Sequence, residues 1–204
     1  MQTRAVHALL LVCFLLVFVF ACGGAKPYKL MAEAARSPER PAVFVHDKRL
    51  RLHLREALVV ASPGSTLSIS PYVVGGHAYL VGWVDTDGER ADLEAAAQGV
   101  SGLLSVAVYM PVKPTGADAP SSTAELELKA KVTASLLAAN RSDKINIAVE
   151  VLGTHAVLIG ALGSAEDVRR ADEAASETSG ISGVTSFLSV PPESDEKRLG
   201  GFLR

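Results

Sequence analysis

The feature that most constrains the fold of this chain is an internal repeat with an offset of 78 residues. The phrase GGHAYLVGWV, residues 75–84, returns as GTHAVLIGAL at residues 153–162. An alignment without gaps at this offset pairs residues 47–112 with residues 125–190. Apolar character is kept even where identity is lost, as in the pairs Leu50 and Leu128, Leu54 and Val132, and Leu58 and Leu136. This repetition predicts two copies of one folded unit.

The first half of each unit is predicted to be a helix followed by a β-hairpin. The leucine spacing of i, i+4 and i+8 marks the buried stripe of the helix, which is DKRLRLHLREALVV in the first copy. The segments LSISPYVV and HAYLVGWV, and their counterparts INIAVEVL and HAVLIGAL, are typical of strands. The Gly75-Gly76 and Gly153-Thr154 pairs between these strands suit tight hairpin turns.

The second half of each unit is predicted to be a helix and a closing strand. The helix starts near Asp87 in the first copy or Ser164 in the second, and Gly102 or Gly180 ends it. The segment LSVAVYMPV or SGVTSFLSV then forms the last strand. Each copy is therefore predicted to be an α-β-β-α-β unit of the α+β class, in which two helices cover one face of a three-stranded sheet.

The second strand of each unit carries apolar residues on both faces of the sheet. Successive side chains of a strand point to opposite faces of the sheet. One set of apolar side chains of the second strand therefore faces the helices, and Tyr79, Val81 and Trp83 lie on the other face. The same outward positions of the second copy hold Val157, Ile159 and Ala161. An apolar face of this kind is usually covered. Three occupants stay open: a protein partner, the other copy, or the segment VFVH at residues 43–46 as an added edge strand.

The amino terminus is typical of a secretory signal, with Arg4 before a short apolar core that ends in a small residue. The apolar core has roughly 14 residues, fewer than the roughly 20 that span a bilayer as a helix. An uncleaved transmembrane anchor is the alternative. The segment VFACGG resembles the bacterial lipobox, which implies cleavage before Cys22 and attachment of acyl chains, palmitate among them, to that residue. Two or three acyl chains hold a protein on a membrane, whereas one chain gives only marginal binding.

Each copy resembles the BON domain. The resemblance rests on the order of elements, on a central strand that ends in L-x-G, and on a helix with paired alanines that is followed by S-G and V. This domain is named for bacterial osmotic-stress and nodulation proteins. Two copies behind a lipobox are similar to the dual-BON outer-membrane lipoproteins, which bind phospholipid and support envelope integrity. The chain is accordingly divided into a signal peptide at 1–21, a membrane tether at 22–46, BON domains at 47–113 and 123–191, a linker at 114–122 and a tail at 192–204.

Charge and motif content argue against nucleic-acid binding and catalysis. The chain has 20 basic and 22 acidic residues and no basic stripe. It contains neither a G-x-S-x-G nucleophile elbow nor a phosphate-binding loop. His77 and His155 occupy equivalent positions beside a turn and would have to converge with carboxylates to hold a metal. We therefore expect a protein that is not an enzyme and has neither a metal site nor a cofactor.

Basic residues on apolar-edged helices are the candidates for binding anionic phospholipid, because each contributes about 1 kcal/mol near an anionic leaflet. The first helix of each copy supplies them: Lys48, Arg49, Arg51, Arg55, Lys129 and Lys131. The resemblance implies that the first helix of the second copy faces lipid, yet here that helix also carries Glu125 and Glu127. Solvated helix faces are the alternative for all these residues.

Together these features predict a periplasm-facing outer-membrane lipoprotein that binds phospholipid surfaces and supports envelope integrity. By analogy with lipoproteins, Gly23 after Cys22, in place of an aspartate that signals inner-membrane retention, favours the outer membrane. The alternative is a non-enzymatic docking module for an envelope protein complex. The expected partners are therefore a membrane, with anionic phospholipid, or an envelope protein, and not nucleic acid.

Overall fold

The computed structural model describes residues 41–64, 68–116, 119–139 and 146–191, all of which belong to one compact unit. The predicted signal segment, Cys22 and the whole predicted tail at 192–204 lie outside the described residues. Within the described ranges, no helix combines the length and the apolar character needed to cross a membrane.

Both repeats have the predicted α-β-β-α-β order, so the predicted α+β fold class is confirmed. The first repeat consists of α1 Pro41–Ala61, β1 Ile69–Val74, β2 His77–Gly82, α2 Asp87–Gln98 and β3 Ser105–Tyr109. The second repeat consists of α3 Ser122–Ala139, β4 Ile147–Leu152, β5 His155–Ala161, α4 Ala165–Ser176 and β6 Gly183–Ser189.

Each repeat forms its own three-stranded sheet. The strand order is β1-β2-β3 in one sheet and β4-β5-β6 in the other. The first two strands of each sheet form an antiparallel hairpin, and the third lies parallel to the second. A parallel neighbour requires a crossover, which α2 and α4 provide. The helices α1 and α2 pack together over the first sheet, and α3 and α4 do the same over the second.

The predicted helical stripes line two separate hydrophobic cores. Leu54 of α1, Leu80 of β2 and Leu93 of α2 are at most 1% exposed and belong to the core of the first repeat. Val132 of α3 and Leu158 of β5 have no exposed surface and belong to the core of the second. Each repeat therefore buries its own helix and sheet faces, as two copies of one folding unit would.

The segment at residues 43–46 is helical and does not form the edge strand that was one of three candidates for covering the outer sheet face. It belongs to the first turns of α1, which begins at Pro41. Proline suits the first turn of a helix because its missing N–H would lack a partner there in any case. A helix also satisfies the remaining backbone groups within the segment, whereas an edge strand needs a neighbouring strand.

The second helix of each repeat ends four residues before the glycine that was predicted to end it, at Gln98 and at Ser176. Gly102 and Gly180 instead adopt φ values of +95° and +96° in the turn that leads to the last strand. Each lies directly against a leucine of the first helix of its own repeat. These glycines therefore shape a tight turn against that helix and do not cap the second helix.

A carboxylate on the first helix of each repeat holds the hairpin turn, which the sequence interpretation did not anticipate. Asp47 is 5% exposed, and its two oxygens accept hydrogen bonds from the backbone N–H groups of Gly75 and Gly76 at 2.7 and 2.9 Å. Glu125, at the equivalent position, accepts from the backbone N–H of Gly153 at 2.7 Å. The recurrence of an acid at this repeat position was the available sequence signal.

Replacing Asp47 with alanine is expected to lower the free energy of unfolding by about 1 to 3 kcal/mol, because two turn N–H groups lose their acceptor. The measurement is urea unfolding followed by circular dichroism. Asp92 lies on the exposed side of α2, so Asp92→Ala is the control and should change stability little. Equal losses in the two variants would show that the carboxylate does not hold the turn.

Candidate functional site

The exposed side of α1 carries an apolar stripe. Val45, Leu52 and Val59 follow one another at seven-residue spacing and are 58%, 65% and 48% exposed. Residues seven apart lie on nearly the same side of a helix. The stripe is opposite the buried leucines at 50, 54 and 58, so α1 has an apolar inner face and a second apolar strip turned to solvent. We call this outer strip the α1 stripe.

Two of the predicted lipid-binding residues flank the α1 stripe. Arg49 and Arg55 are both exposed. Neither forms an ion pair within the described part of the chain. Helical geometry places each of them about 60° around the axis from Leu52, on opposite sides of it. An apolar strip with an exposed cation on each side is an arrangement that favours a helix lying in a membrane interface.

The charged groups of Lys48 and Arg51 each lie over an aromatic ring. The Lys48 ammonium lies over the Phe44 ring, 5.1 Å from the centroid. The Arg51 guanidinium lies over the Tyr72 ring of β1, also 5.1 Å from the centroid. Among the described residues, no hydrogen-bond partner reaches the buried Arg51 Nε atom. The four basic residues predicted on this helix therefore separate into an outward pair and a pair directed toward Phe44 and β1.

The basic residues predicted on α3 are both neutralised. Lys129 pairs with Glu150 of β4 at 2.9 Å, and Lys131 pairs with Glu127 at 2.8 Å. The hydrogen bond and charge of Lys131 lower the pKa of the Glu127 carboxyl, which is therefore ionised at neutral pH. The α1 stripe has only a partial counterpart here, because Thr123 and Ala130 stand where α1 has Val45 and Leu52. Of the two first helices, only α1 presents both an apolar stripe and cations without carboxylate partners.

The basic pair on α4 is also paired with carboxylates. Arg169 contacts Glu166 and Glu173, and Arg170 contacts Asp167. All these pairs lie within one helix at i, i+3 or i+4 spacing. This basic spot has little net charge to offer to an anionic surface.

The outward face of each sheet is covered by the other repeat. Val81, Val157 and Ile159 are at most 1% exposed and form a third hydrophobic cluster with Leu152 and surrounding aromatic residues. Of the three predicted occupants of this face, the other copy is therefore the one found. We call this contact the inter-repeat interface.

Aromatic side chains dominate the inter-repeat interface. The Tyr79 and Phe187 rings lie 5.1 Å apart, and Tyr109 stacks on the His155 imidazole at 4.7 Å. The Trp83 indole Nε1–H donates to Glu125 of α3 at 3.0 Å. Pairs of this kind contribute about 0.5 to 1.5 kcal/mol beyond the area they bury, so the two repeats hold each other with specific geometry.

The two repeats are related by an approximate two-fold axis. Tyr72 and Glu150 occupy the same repeat position, and the Tyr72 hydroxyl donates to the Glu150 carboxylate across the interface. Contact between equivalent residues is the signature of a two-fold, isologous interface. The strand contacts agree, since β1 meets β5 and β2 meets β4. Burial, together with the hydrogen bond to Glu150, raises the pKa of the Tyr72 hydroxyl, which therefore stays protonated as a donor.

The two equivalent histidines do not converge. His77 Nδ1 lies 2.7 Å from Ser105 Oγ, and His155 Nε2 lies 2.9 Å from Thr185 Oγ1. Burial lowers the pKa of His155, which favours the neutral imidazole that stacks on Tyr109. Within the described ranges, no group of three or more His, Cys, Asp or Glu side chains is placed to hold a metal ion.

Comparison with known proteins places these features in a family. The family model of the BON domain matches residues 46–114 and 124–192. The chain is similar to a solved structure of CdsD, a structural protein of the type III secretion system of Chlamydia trachomatis, with 16% identity, 78% of this chain and 69% of that chain covered, and a TM-score of 0.32. For a solved C-terminal domain of CdsD the identity is 19%, the coverage 69% of this chain and 66% of that chain, and the TM-score 0.29. No curated protein matches the chain. Because the two BON matches together span more than half of its length, the chain belongs to the BON domain family.

Proposed function

We propose that this protein is an acyl-anchored lipoprotein of the outer membrane that faces the periplasm, binds anionic phospholipid surfaces and supports envelope integrity. BON domains are non-catalytic binding domains associated with phospholipid and the envelope. The observation that carries the proposal for this chain is the α1 stripe with Arg49 and Arg55 beside it. The anchor residue Cys22 lies outside the described residues, and its support is the lipobox-like sequence.

The physical basis is the combination of apolar burial and charge attraction. Three exposed aliphatic side chains on one line can enter the boundary between headgroups and acyl chains, where each Å² of apolar surface removed from water contributes about 25 cal/mol. Each arginine adds about 1 kcal/mol near an anionic leaflet. These contributions are modest alone. With acyl chains on Cys22 the protein is already held at the bilayer, so a weak helix face is enough to orient it.

The test is flotation of the unacylated protein, residues 23–204, with vesicles of phosphatidylcholine with and without phosphatidylglycerol, at low and high salt. Binding is expected only with the anionic lipid and is expected to fall with salt. Leu52→Glu and the double variant Arg49→Glu with Arg55→Glu should each reduce the partition coefficient roughly tenfold or more, because apolar burial is lost or attraction becomes repulsion.

Leu126→Glu is the matched control, because Leu126 is 67% exposed on the first helix of the other repeat and Leu52 is 65% exposed. The control should retain binding. The lipid-surface proposal is wrong if the unaltered protein does not float with anionic vesicles, or if Leu52→Glu and Leu126→Glu lose binding equally.

The docking alternative stays a prediction, and the sheet face that motivated it gives it no support. The apolar sheet face that motivated it is occupied by the other repeat. A protein partner that uses this face would have to separate the two repeats and replace the aromatic contacts of the inter-repeat interface.

A further inference from the structure

A pocket lies where α1 and β1 of the first repeat meet β4 and β5 of the second. Its volume is about 190 Å³. Residues of both repeats line it, among them Phe44, Lys48, Arg51, Tyr72, Ala148 and Ile159. Since a water molecule has roughly 30 Å³ of liquid volume, the pocket is large enough for a small organic ligand.

The two repeats differ at a position next to the pocket-lining residue Gly160. On the opposite side of the axis, the Trp83 indole donates to Glu125 and lies 3.9 Å from where a side chain on Gly153 would begin. The symmetry-related position holds Ala161, and the residues related to Glu125 and Gly153 are Asp47 and Gly75. The Trp83 indole therefore fills a space on one side of the axis, and Ala161, which follows the lining residue Gly160, has no side chain of that size on the other side.

The cations that line the pocket have no carboxylate partner among the residues that the structure describes. The Arg51 Nε is buried without an acceptor, and Arg51 forms no ion pair within the described residues. Within the described residues, the one contact of the Lys48 ammonium group is with the face of the Phe44 ring. The one acidic residue of the lining, Asp47, directs both oxygens at the hairpin N–H groups. The buried Nε is unsatisfied, and an anion can add hydrogen bonds at the other N–H groups of the Arg51 guanidinium.

We infer that this pocket binds a phosphate ester, with Arg51 and Lys48 as the charge partners of the phosphate. A guanidinium fits phosphate oxygens in a bidentate manner, and a lysine adds a point charge. Tyr72, Ala148 and Ile159 provide an apolar wall for the organic part of the ester. The ester has two sources, a phospholipid headgroup or a free phosphate ester such as glycerol phosphate. The site is separate from the α1 stripe and does not depend on the lipid-surface proposal.

The test is isothermal titration calorimetry on the full chain in a neutral detergent. One arm titrates glycerol phosphate, and the other titrates short-chain phosphatidylglycerol in the same detergent. Arg51→Met, which retains a long side chain over Tyr72, and Lys48→Gln should each weaken binding roughly tenfold or more. The matched control is Lys129→Met, which replaces the residue at the same position of the second repeat, and it should retain the affinity of the unaltered protein.

If glycerol phosphate binds, and Arg51→Met and Lys48→Gln weaken its binding, a free ester is a sufficient ligand. If only the lipid binds, with the same effect of the two variants, the ligand is a phospholipid headgroup. Binding of neither ligand overturns the inference, as does equal weakening in Arg51→Met and Lys129→Met. If Arg51→Met does not fold, as judged by circular dichroism, Lys48→Gln at its exposed position decides the question. The double variant Arg49→Glu with Arg55→Glu should retain glycerol phosphate binding, which keeps this outcome distinct from that of the vesicle experiment.

Discussion

Replacing Gly82 with alanine is expected to lower the free energy of unfolding by about 3 kcal/mol, because β2 has no room for a side chain at its last residue. A Cβ atom added there would lie 2.0 Å from the backbone carbonyl oxygen of Ser68, just before β1. Backbone cannot move aside as a flexible side chain can. Gly160, the equivalent residue, has the same relation to Asn146, with a distance of 2.4 Å. Urea unfolding followed by circular dichroism measures the loss for each variant.

Gly64→Ala is the control for this prediction, because nothing lies within 4 Å of a Cβ atom at Gly64. Its free energy of unfolding should stay close to that of the unaltered protein. If Gly82→Ala and Gly64→Ala have the same stability, the backbone approach does not explain why both repeats have a glycine at the end of this strand.

Val81→Asp is expected to separate the two repeats and to cost about 4 kcal/mol of stability, since a carboxylate cannot be buried without a partner between two apolar sheet faces. Val81 is 1% exposed and lies in the inter-repeat cluster, outside the core of its own repeat. The two repeats should therefore lose contact before either loses its helices. Trp83, the single tryptophan of the chain, reports the change because it lies in the same cluster.

The measurement combines tryptophan fluorescence and far-ultraviolet circular dichroism under native conditions, followed by urea unfolding. Val81→Asp should shift the Trp83 emission to longer wavelength while most of the helical signal remains. The control is Val60→Asp, an identical change at a position that is 79% exposed. Unchanged Trp83 emission in a folded Val81→Asp protein would contradict the view that the two sheets support each other.

The fold was predictable because its signals are local and occur twice. The leucine spacing of the first helices, the alternation in HAYLVGWV and HAVLIGAL, and the turn glycines depend only on neighbours in the chain. The segment VFVH was harder, since a short run of β-branched and aromatic residues is compatible with strand or helix. The helix that forms from Pro41 continues the periodicity of the leucine stripe and places Asp47 against the hairpin turn.

The candidate site was predictable only in part, because a sequence shows which residues are charged but not which charges are paired. Arg49 and Arg55 lie on the exposed face as expected of lipid-binding residues, and whether they bind lipid stays a prediction. Lys129 and Lys131 are held by carboxylates, one of which comes from β4 and is 21 residues away in the chain. The α1 stripe, by contrast, was visible as Val45, Leu52 and Val59 at seven-residue spacing and was overlooked beside the stronger leucine stripe.

By itself, the sequence determined that two like units form, what elements they contain and which face of each helix is buried, because periodicity and turn chemistry act over a few residues. Only the tertiary structure decided that the two sheets pack face to face about a two-fold axis. It also decided that Arg51 turns to Tyr72 beside a pocket that residues of both repeats line. These outcomes depend on how two apolar sheet faces pack against each other. The residues in contact are 78 positions apart in the chain, so a pattern of neighbouring residues does not predict the packing.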